Sequence, residues 1–446
     1  MSLGIIDNQE NIRADEINVI EFKRIIGTHK EKKNICTALF IKELSNGSFI
    51  SSGTEGKMFV YNENFKKIDE IDSFKEWTYS ICERKNFKGK SDTKIQFIGC
   101  SNKEMYLIDL AFDENKDKAY SKTQKFELPG ATCKNCIEMK IGENSESEYV
   151  ILGLNGGGYY TNLFVGEGKS VKNKQITEKT YRGAIRITDN IVIISSNRVG
   201  IKGEKKYSIN EDKDGNNGEN KNGINEENEG INGEDALILY NYEKMEAKKI
   251  VSYDPTGNED QKDYSFIYNN NGLALISCDP NNNENTNKTL LCACKKYFSD
   301  QKNGILLVDP IIEDKKEAVI DFYDTGDFEV YCFCPLFEFD KNTVSVKHIG
   351  KDLEYFLVGG FDNDKCEGKI KLYKIFSKEK EKIEFLQDIE IQRNEIFRGF
   401  KGAISSIIQS TKNGNILASC YDGNIYLLSI PNLDFYLQEN ETKQKS

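Results

Sequence analysis

Residues 417–428 have the sequence Leu417-Ala418-Ser419-Cys420-Tyr421-Asp422-Gly423-Asn424-Ile425-Tyr426-Leu427-Leu428, in which a polar turn separates two apolar runs. Glycine adopts positive φ without steric cost, and Asp or Asn side chains cap such turns. The runs on either side have the length and apolar character of short strands. The stretch therefore predicts a β-hairpin.

The same pattern of small residues, a polar turn and a β-rich run recurs along the chain. The other copies begin near residues 51, 98, 152, 193, 291 and 358. Each copy is preceded by one more strand-like run, and most are followed by another. Four short strands per unit are typical of propeller blades, so the sequence predicts a seven-bladed β-propeller of four-stranded antiparallel blades.

A closed ring needs a strand that completes its last blade, because an unpaired edge strand promotes aggregation. Two segments compete for this position, Asn18 to Ile25 and Asp434 to Gln438. We favour the N-terminal segment, since Pro431 interrupts the run after Ile430. The predicted organisation is an N-terminal extension at 1–17, a single propeller domain at 18–430 and a tail at 431–446.

The last unit, residues 402–428, resembles a WD repeat in its small-residue strand, its Asp-containing turn and its following strand. By this resemblance, Asp422 is a structural turn residue. The Gly-His pair of that family is replaced by Gly399-Phe400, and only Gly27-Thr28-His29 keeps a histidine nearby. The resemblance implies a divergent WD40-like propeller that acts as a protein-interaction scaffold or as a subunit of a larger complex, and that binds other proteins through one face.

Residues 200–235 form a low-complexity insert with hardly any apolar side chains, which predicts disorder. The insert interrupts the turn between the two middle strands of the fourth unit. Two shorter expansions, Lys295 to Asn303 and Phe361 to Glu367, fall at the same position of their units. Three expansions on one face indicate either a tolerated surface or a recognition surface.

Composition and charge exclude several classes of partner. The net charge of −11 disfavours binding to nucleic acid, which depends on neutralising phosphates. The sequence has neither a signal-like start nor an apolar run of 18 residues, so no membrane span is predicted. Twelve cysteines, mostly inside apolar strand-like runs, indicate free thiols and a cytoplasmic or nuclear location.

The residues typical of catalysis are scarce, and we predict that the protein is not an enzyme. Only His29 and His348 are present, and no Gly-x-Ser-x-Gly elbow occurs. Cys133 and Cys136 form a C-x-x-C on a predicted strand, where their side chains point to opposite faces, so no metal site is predicted. No cofactor and no small-molecule substrate are predicted either. The enzymatic alternative is a hydrolase with paired carboxylates at the central channel.

The sequence offers Trp77, Arg182, Arg398 and Phe400 as partner-binding residues at the connections between blades. Exposed Trp and Arg are frequent anchors of protein interfaces. The alternative is that Trp77 and Phe400 pack between blades while the arginines pair with acids. The run from Phe397 to Phe400 is also distantly similar to the motif of phosphoinositide-binding propellers, although Gly399 replaces the second arginine, so a phosphoinositide-binding adaptor stays open as a further alternative.

Overall fold

The fold is given by a computed structural model. It describes residues 20–31, 34–72, 74, 77–84, 89–101, 104–127, 133–140, 149–155, 159–164, 171–175, 180–188, 191–197, 236–241, 246–252, 264–266, 272–277, 288–297, 301–310, 318–340, 345–348, 353–376, 382–388, 397 and 399–430. The predicted N-terminal extension, the insert at 200–235 and the tail at 431–446 lie outside the described residues.

The elements of the described residues are strands. In chain order they are β1 (Glu21–Thr28), β2 (Lys30–Glu31), β3 (Asn34–Ile35), β4 (Ala38–Glu43), β5 (Phe49–Gly53), β6 (Met58–Tyr61), β7 (Lys67–Ile71), β8 (Thr78–Glu83), β9 (Lys94–Ser101), β10 (Glu104–Phe112), β11 (Ala119–Glu127), β12 (Cys133–Asn135), β13 (Glu138–Lys140), β14 (Tyr149–Asn155), β15 (Tyr159–Phe164), β16 (Val171–Gln175) and β17 (Thr180–Arg186). They continue with β18 (Ile191–Asn197), β19 (Ala236–Asn241), β20 (Glu246–Ser252), β21 (Tyr264–Phe266), β22 (Leu273–Ser277), β23 (Lys288–Tyr297), β24 (Gln301–Val308), β25 (Val319–Gly326), β26 (Phe328–Pro335), β27 (Phe337–Asp340), β28 (Ser345–His348), β29 (Leu353–Asp362), β30 (Glu367–Phe376), β31 (Lys382–Asp388), β32 (Ile404–Gln409), β33 (Ile416–Cys420) and β34 (Asn424–Ser429).

These strands build an all-β propeller of antiparallel sheets. Four-stranded sheets are formed by β4–β7, by β8–β11, by β17–β20, by β26 with β29–β31, and by β32–β34 with β1. Five-stranded sheets are formed by β12–β16 and by β21–β25, and two-stranded hairpins by β2–β3 and by β27–β28. The prediction of seven blades that each have four strands is therefore wrong.

The fifth strand arises where the innermost strand of a sheet is interrupted. Phe266 and Leu273 pair with Cys294 and Cys292 of β23. Only Ala293 separates these two partners, whereas six residues, 267–272, separate β21 from β22 in the chain. A β-ladder pairs residues one to one, so the residues of 267–272 that exceed the single partner position divide the innermost strand into two. Strand β14 likewise pairs with both β12 and β13, which flank the two-residue link 136–137.

One strand of each larger sheet faces a central channel. The strands β4, β8, β17, β22, β26 and β32, together with the link between β12 and β13, contribute residues to a cavity of about 660 Å³. Successive sheets pack face to face around it. The residues between the β4–β7 and β8–β11 sheets, for example, form one apolar cluster that includes Val60, Phe74 and Phe97.

The N-terminal strand completes the final sheet, as the sequence favoured, with bounds of 21–28 in place of 18–25. Strand β1 pairs with β34 from Glu21↔Ser429 to Thr28↔Asn424. The preceding residue, Ile20, is fully buried in the cluster between this sheet and its neighbour. The two ends of the described chain thus close the ring. Within the described residues, no helix is long and apolar enough to cross a membrane.

Candidate partner-binding face

The turns between the second and third strands of the sheets and the connections that lead into the innermost strands meet on one face of the ring. The backbone nitrogen of Thr54, in the β5–β6 turn, donates to the carbonyl of Thr37, which precedes β4, at 2.9 Å. The nitrogen of Gly368, beside the β29–β30 turn, donates to the carbonyl of Phe400, which precedes β32, at 3.3 Å. We call this surface the turn face.

Most innermost strands begin on the turn face with a β-bulge. The ladder shifts register around one unpaired residue in β4, β8, β12, β17, β26 and β32; these residues are Leu39, Tyr79, Lys134, Arg182, Tyr331 and Ser405. Bulges bend a strand and re-aim a side chain, and they are frequent beside functional sites. The mouth of the channel is therefore ringed by positions that the ladder does not constrain.

Exposed apolar side chains lie next to these bulges. Ile35 is 69% exposed, Trp77 49% and Tyr421 40%. Two bulge residues are in ring contact with this group, since Tyr79 lies 6.0 Å from Trp77 and Tyr331 lies 5.7 Å from Tyr421 between ring centroids. We call these five residues the apolar arc.

The apolar arc spans consecutive sheets. Tyr331 lies in β26, Tyr421 follows β33, Ile35 precedes β4, and Trp77 precedes β8. The innermost strands of these sheets are neighbours, β26 beside β32, β32 beside β4, and β4 beside β8. The Ile35 side chain lies against Gly423, two residues from Tyr421, so these parts of the arc are contiguous.

Asp422 stabilises the turn that presents Tyr421. Its Oδ1 accepts a hydrogen bond from the backbone nitrogen of Asn424 at 3.0 Å, and its Oδ2 accepts one from the Tyr426 hydroxyl at 2.6 Å. Gly423 has φ of +87°, and a Cβ there would meet the carbonyl of Cys36 at 2.5 Å. The turn therefore requires both the carboxylate and the glycine.

A buried network of side-chain hydrogen bonds lies behind the equivalent turn between β5 and β6. The His29 Nδ1 contacts the Glu55 carboxylate, and His29 Nε2 lies 2.9 Å from the Ser51 hydroxyl. The Ser51 oxygen in turn lies 3.3 Å from the Tyr61 hydroxyl, and burial raises the pKa of Tyr61. The His29 ring also stacks on Phe59 at 4.3 Å. A His29 tautomer protonated on Nδ1 satisfies Glu55 and accepts from Ser51.

Ser51, His29 and Glu55 follow the order of a serine–histidine–carboxylate triad, but their burial prevents such a role. Ser51 and His29 are fully buried, and the Glu55 side chain is also fully buried. None of the three lines the central channel. A nucleophile must reach its substrate, so the arrangement joins the N-terminal connection to the first hairpin instead. No signal in the sequence predicted this arrangement, because Glu55 and Tyr61 carry no motif of their own.

Carboxylates at the opposite end of the channel join neighbouring sheets. Glu43 ends β4 and accepts hydrogen bonds from the Ser410 hydroxyl at 3.1 Å and from the Thr411 backbone nitrogen at 2.8 Å. Glu83 ends β8 and accepts from the Ser45 backbone nitrogen at 2.8 Å. These two carboxylates are committed to turns of adjoining sheets, and they lend no support to the hydrolase alternative.

The four predicted contact residues have different positions. Trp77 is exposed on the turn face. Phe400 is 5% exposed and packs edge-on against Tyr426 at 4.8 Å, so it belongs to the core, which is the packing alternative. Arg182 is the bulge residue of β17, although its side chain lies outside the described residues. Arg398, on which the phosphoinositide alternative depends, also lies outside them.

The two shorter expansions continue their hairpins. Lys295 pairs with Asn303, and the ladder runs on to Tyr297↔Gln301. Asp362 pairs with Glu367 across the turn at 363–366. The strands β18 and β19, which flank the long insert, also pair from Ser196↔Ala236 onward. The extra residues of the two shorter expansions therefore lengthen strands, whereas the apolar arc lies elsewhere on the turn face.

Comparisons with known proteins add little to the geometry. No protein-family model matches the chain, and no curated protein matches its sequence. Among solved structures, the chain is similar to one titled "Structure of Dos1 propeller", with 9% sequence identity and a TM-score of 0.47. The match covers 93% of this chain and 81% of that chain.

Proposed function

We propose that the protein is a non-catalytic interaction platform, a scaffold or a subunit of a larger complex, that binds another protein through the apolar arc. One observation carries this proposal. Of the five large hydrophobic residues that the described part of the chain exposes, three (Ile35, Trp77 and Tyr421) lie on the turn face. The other two, Ile25 and Tyr120, lie on the outermost strands β1 and β11.

The composition of the arc fits a protein partner. Trp and Tyr bury large areas with few rotatable bonds and are enriched among the residues that dominate binding energy. Tyr331, which hydrogen-bonds to Glu329, gives this apolar surface a polar edge. A partner that inserts apolar side chains beside Trp77 and Tyr421 would remove these rings from water.

The wider setting is consistent with a divergent WD-repeat protein. Asp422 has the turn role that the resemblance implied, and His29 is held by hydrogen bonds in the adjoining sheet. Cys36, Cys332, Cys334, Cys366 and Cys420 are thiols outside disulfides, which supports a reducing compartment, the cytoplasm or the nucleus.

Affinity purification from the native cell tests the proposal. We expect Trp77→Ala and Tyr421→Ala each to reduce recovery of a stoichiometric protein partner by about tenfold or more, as for interface anchors. Tyr120→Ala is the matched control, because Tyr120 is an exposed aromatic residue on an outer strand, and we expect it to retain the partner.

Two outcomes would overturn the proposal. The first is a partner that is retained by both arc variants and lost by the Tyr120 variant. The second is a chain that recovers no stoichiometric partner under any condition.

A further inference from the structure

Three thiols from two neighbouring sheets meet beside the central channel. Cys82 lies in β8, Cys100 in β9, and Cys136 in the link between β12 and β13. All three are buried and share one cluster with Ile98 and Met105. The described thiol neighbours of Cys136 therefore belong to the preceding sheet.

Cys136 is the common neighbour of the other two thiols. Ser80 pairs with Cys100 and Cys82 pairs with Ile98, so Cys82 and Cys100 are diagonal neighbours on one face of their sheet. Diagonal positions are about 7–8 Å apart, which exceeds the usual span of a disulfide. Both thiols hydrogen-bond to Cys136, whose own Sγ lies 3.5 Å from the Ile98 carbonyl and 3.9 Å from the Ser80 hydroxyl.

The surroundings of Cys136 favour its thiolate. Burial raises the pKa of the Cys136 thiol, but hydrogen bonds from Cys100 and Cys82, the positive charge of Lys42 and the Ser80 hydroxyl outweigh it and hold that pKa well below its usual range. The Lys42 ammonium is fixed nearby, because its Nζ donates to the Ile81 carbonyl at 3.0 Å. Thiolates, rather than thiols, are the reactive nucleophiles.

A second pair of buried thiols shows the opposite behaviour. Cys332 and Cys334 lie two residues apart on β26, and both are buried. Burial raises the pKa of Cys332, with a further rise from the neighbouring Cys334, and burial raises the pKa of Cys334 to about 12. No cation contributes to either shift. Burial alone therefore does not activate a thiol in this fold.

A small oxidant has a route to the cluster. Cys82 and Cys136 both line the channel of about 660 Å³, and Lys42 lines it beside them. A peroxide is small enough to enter such a cavity, whereas an alkylating reagent with a bulky ring is hindered at side chains that are less than one-tenth exposed.

We propose that Cys136 is a modification site, a peroxide-reactive cysteine that forms a disulfide with a thiol of the neighbouring sheet. The Cys136 sulfur attacks one peroxide oxygen, so an S–O bond forms, the O–O bond breaks, and the leaving oxygen departs as water after protonation. A thiol of Cys82 or Cys100 then attacks the sulfenic sulfur, which forms the S–S bond and releases the second water. Two thiols are oxidised and one hydrogen peroxide is reduced to two waters. The product would link the β8–β11 and β12–β16 sheets covalently.

The experiment treats the full folded chain with hydrogen peroxide, blocks the remaining thiols and maps the modified cysteines by mass spectrometry. We expect a disulfide between Cys136 and Cys82 or Cys100 to form at least tenfold faster than any oxidation of Cys332 or Cys334. Cys366 is an exposed thiol and serves as the internal reference for peroxide activity.

Lys42→Met tests whether the Lys42 charge makes Cys136 reactive, and it does so without removing a thiol. We expect this variant to fold, as judged by circular dichroism, and to oxidise Cys136 about tenfold more slowly. The matched control is Lys57→Met, which removes a lysine of the β5–β6 turn that pairs with Glu70 and does not line the channel. The proposal is overturned if Cys136 is no faster than Cys332, or if Lys42→Met and Lys57→Met leave its rate equally unchanged.

Discussion

The β5–β6 and β33–β34 turns both lie on the turn face, and the acidic residue of each turn has a different structural role. The β5–β6 turn sends Glu55 inward to His29, where the carboxylate is buried. The β33–β34 turn holds Asp422 mainly against Asn424 and Tyr426 of its own hairpin, with one further hydrogen bond from the Lys401 backbone nitrogen at 3.3 Å, and it leaves Tyr421 exposed. An acid at equivalent positions therefore either locks neighbouring segments together or supports a surface contact. Its hydrogen-bond partner decides which.

His29 connects the two turns. Its backbone nitrogen donates to the Gly423 carbonyl at 2.8 Å, while its ring reaches Glu55 and Ser51. It thus lies where the closing sheet meets the β4–β7 sheet. Substitutions at His29, Asp422 and Tyr421 test the contrast between the β5–β6 turn and the β33–β34 turn, and one at Asp362 extends it to a third turn.

The largest effect is expected from His29→Ala. The substitution leaves the Glu55 carboxylate buried without its partner and opens a cavity beside Phe59. Breaking a buried pair in this way costs about 3–5 kcal/mol of unfolding free energy. Urea denaturation measures the loss, and Lys30→Ala, an exposed neighbour, is the control. A loss below about 1 kcal/mol would show that the chain of hydrogen bonds does not lock the ring.

A smaller loss is expected from Asp422→Ala. The change removes the acceptor of the Tyr426 hydroxyl, which lies in a residue that is 3% exposed, and the cap of the turn. An unsatisfied buried hydroxyl costs about 1–3 kcal/mol. Urea midpoints of this variant and of Asp422→Asn, which retains one acceptor oxygen, give the measurement. Equal midpoints for Asp422→Ala and the parent chain would contradict a structural role.

A third turn, between β29 and β30, makes part of the unfolding free energy depend on pH. Burial raises the pKa of Asp362, but its hydrogen bond to Lys369, the Lys365 backbone nitrogen and the charges of both lysines outweigh it and lower that pKa below 3.8. Because the folded-state pKa is depressed, the stabilisation is present above pH 3.8 and is lost as the pH falls through the folded value.

Asp362→Asn should therefore reduce the unfolding free energy by about 1 kcal/mol at pH 6, the net contribution of one ordinary hydrogen bond, and by progressively less below pH 4. Unfolding free energies of both chains across this range supply the test. A difference that stays constant down to pH 2 would refute it.

The smallest effect on stability is expected from Tyr421→Ala. Its side chain is exposed, so the unfolding free energy should change by about 0.5 kcal/mol or less, as for most surface positions. Thermal unfolding of this variant and of Asp422→Ala distinguishes a residue that is available to a partner from one that stabilises the turn. A loss as large as that of Asp422→Ala would mean that Tyr421 holds the turn and is not free to bind a partner.

The local features of the fold could be predicted from the residues that form them. The hairpin around Asp422 and Gly423 depends on turn chemistry between adjacent residues, and that chemistry is legible in any single copy of the repeat. The closing strand was also predictable, because Pro431 disfavours continuation of the β-strand beyond Ile430. The exposure of Trp77 could only be proposed, and Phe400, which the sequence offered as an interface residue of the same kind, is buried.

The features that join different sheets could not be predicted in this way. The Ser405 hydroxyl donates to the Ala38 carbonyl, 367 residues away, and Glu43 reaches Ser410 across the same junction. Cys136 meets Cys82 and Cys100 only because two sheets pack face to face. The interrupted strands of the five-stranded sheets likewise depend on how β14 and β23 register with their partners.

Sequence alone determined the hairpins, their turns and the order in which strands follow one another, because these depend on backbone preferences and side chains a few residues apart. Tertiary structure decided which side chains meet at the junctions between sheets, which thiol lies near a lysine, and which aromatic rings stay in water. The physical reason is that the alternating apolar pattern buries a strand's face without specifying the neighbour that it is buried against, and only closure of the ring supplies that neighbour.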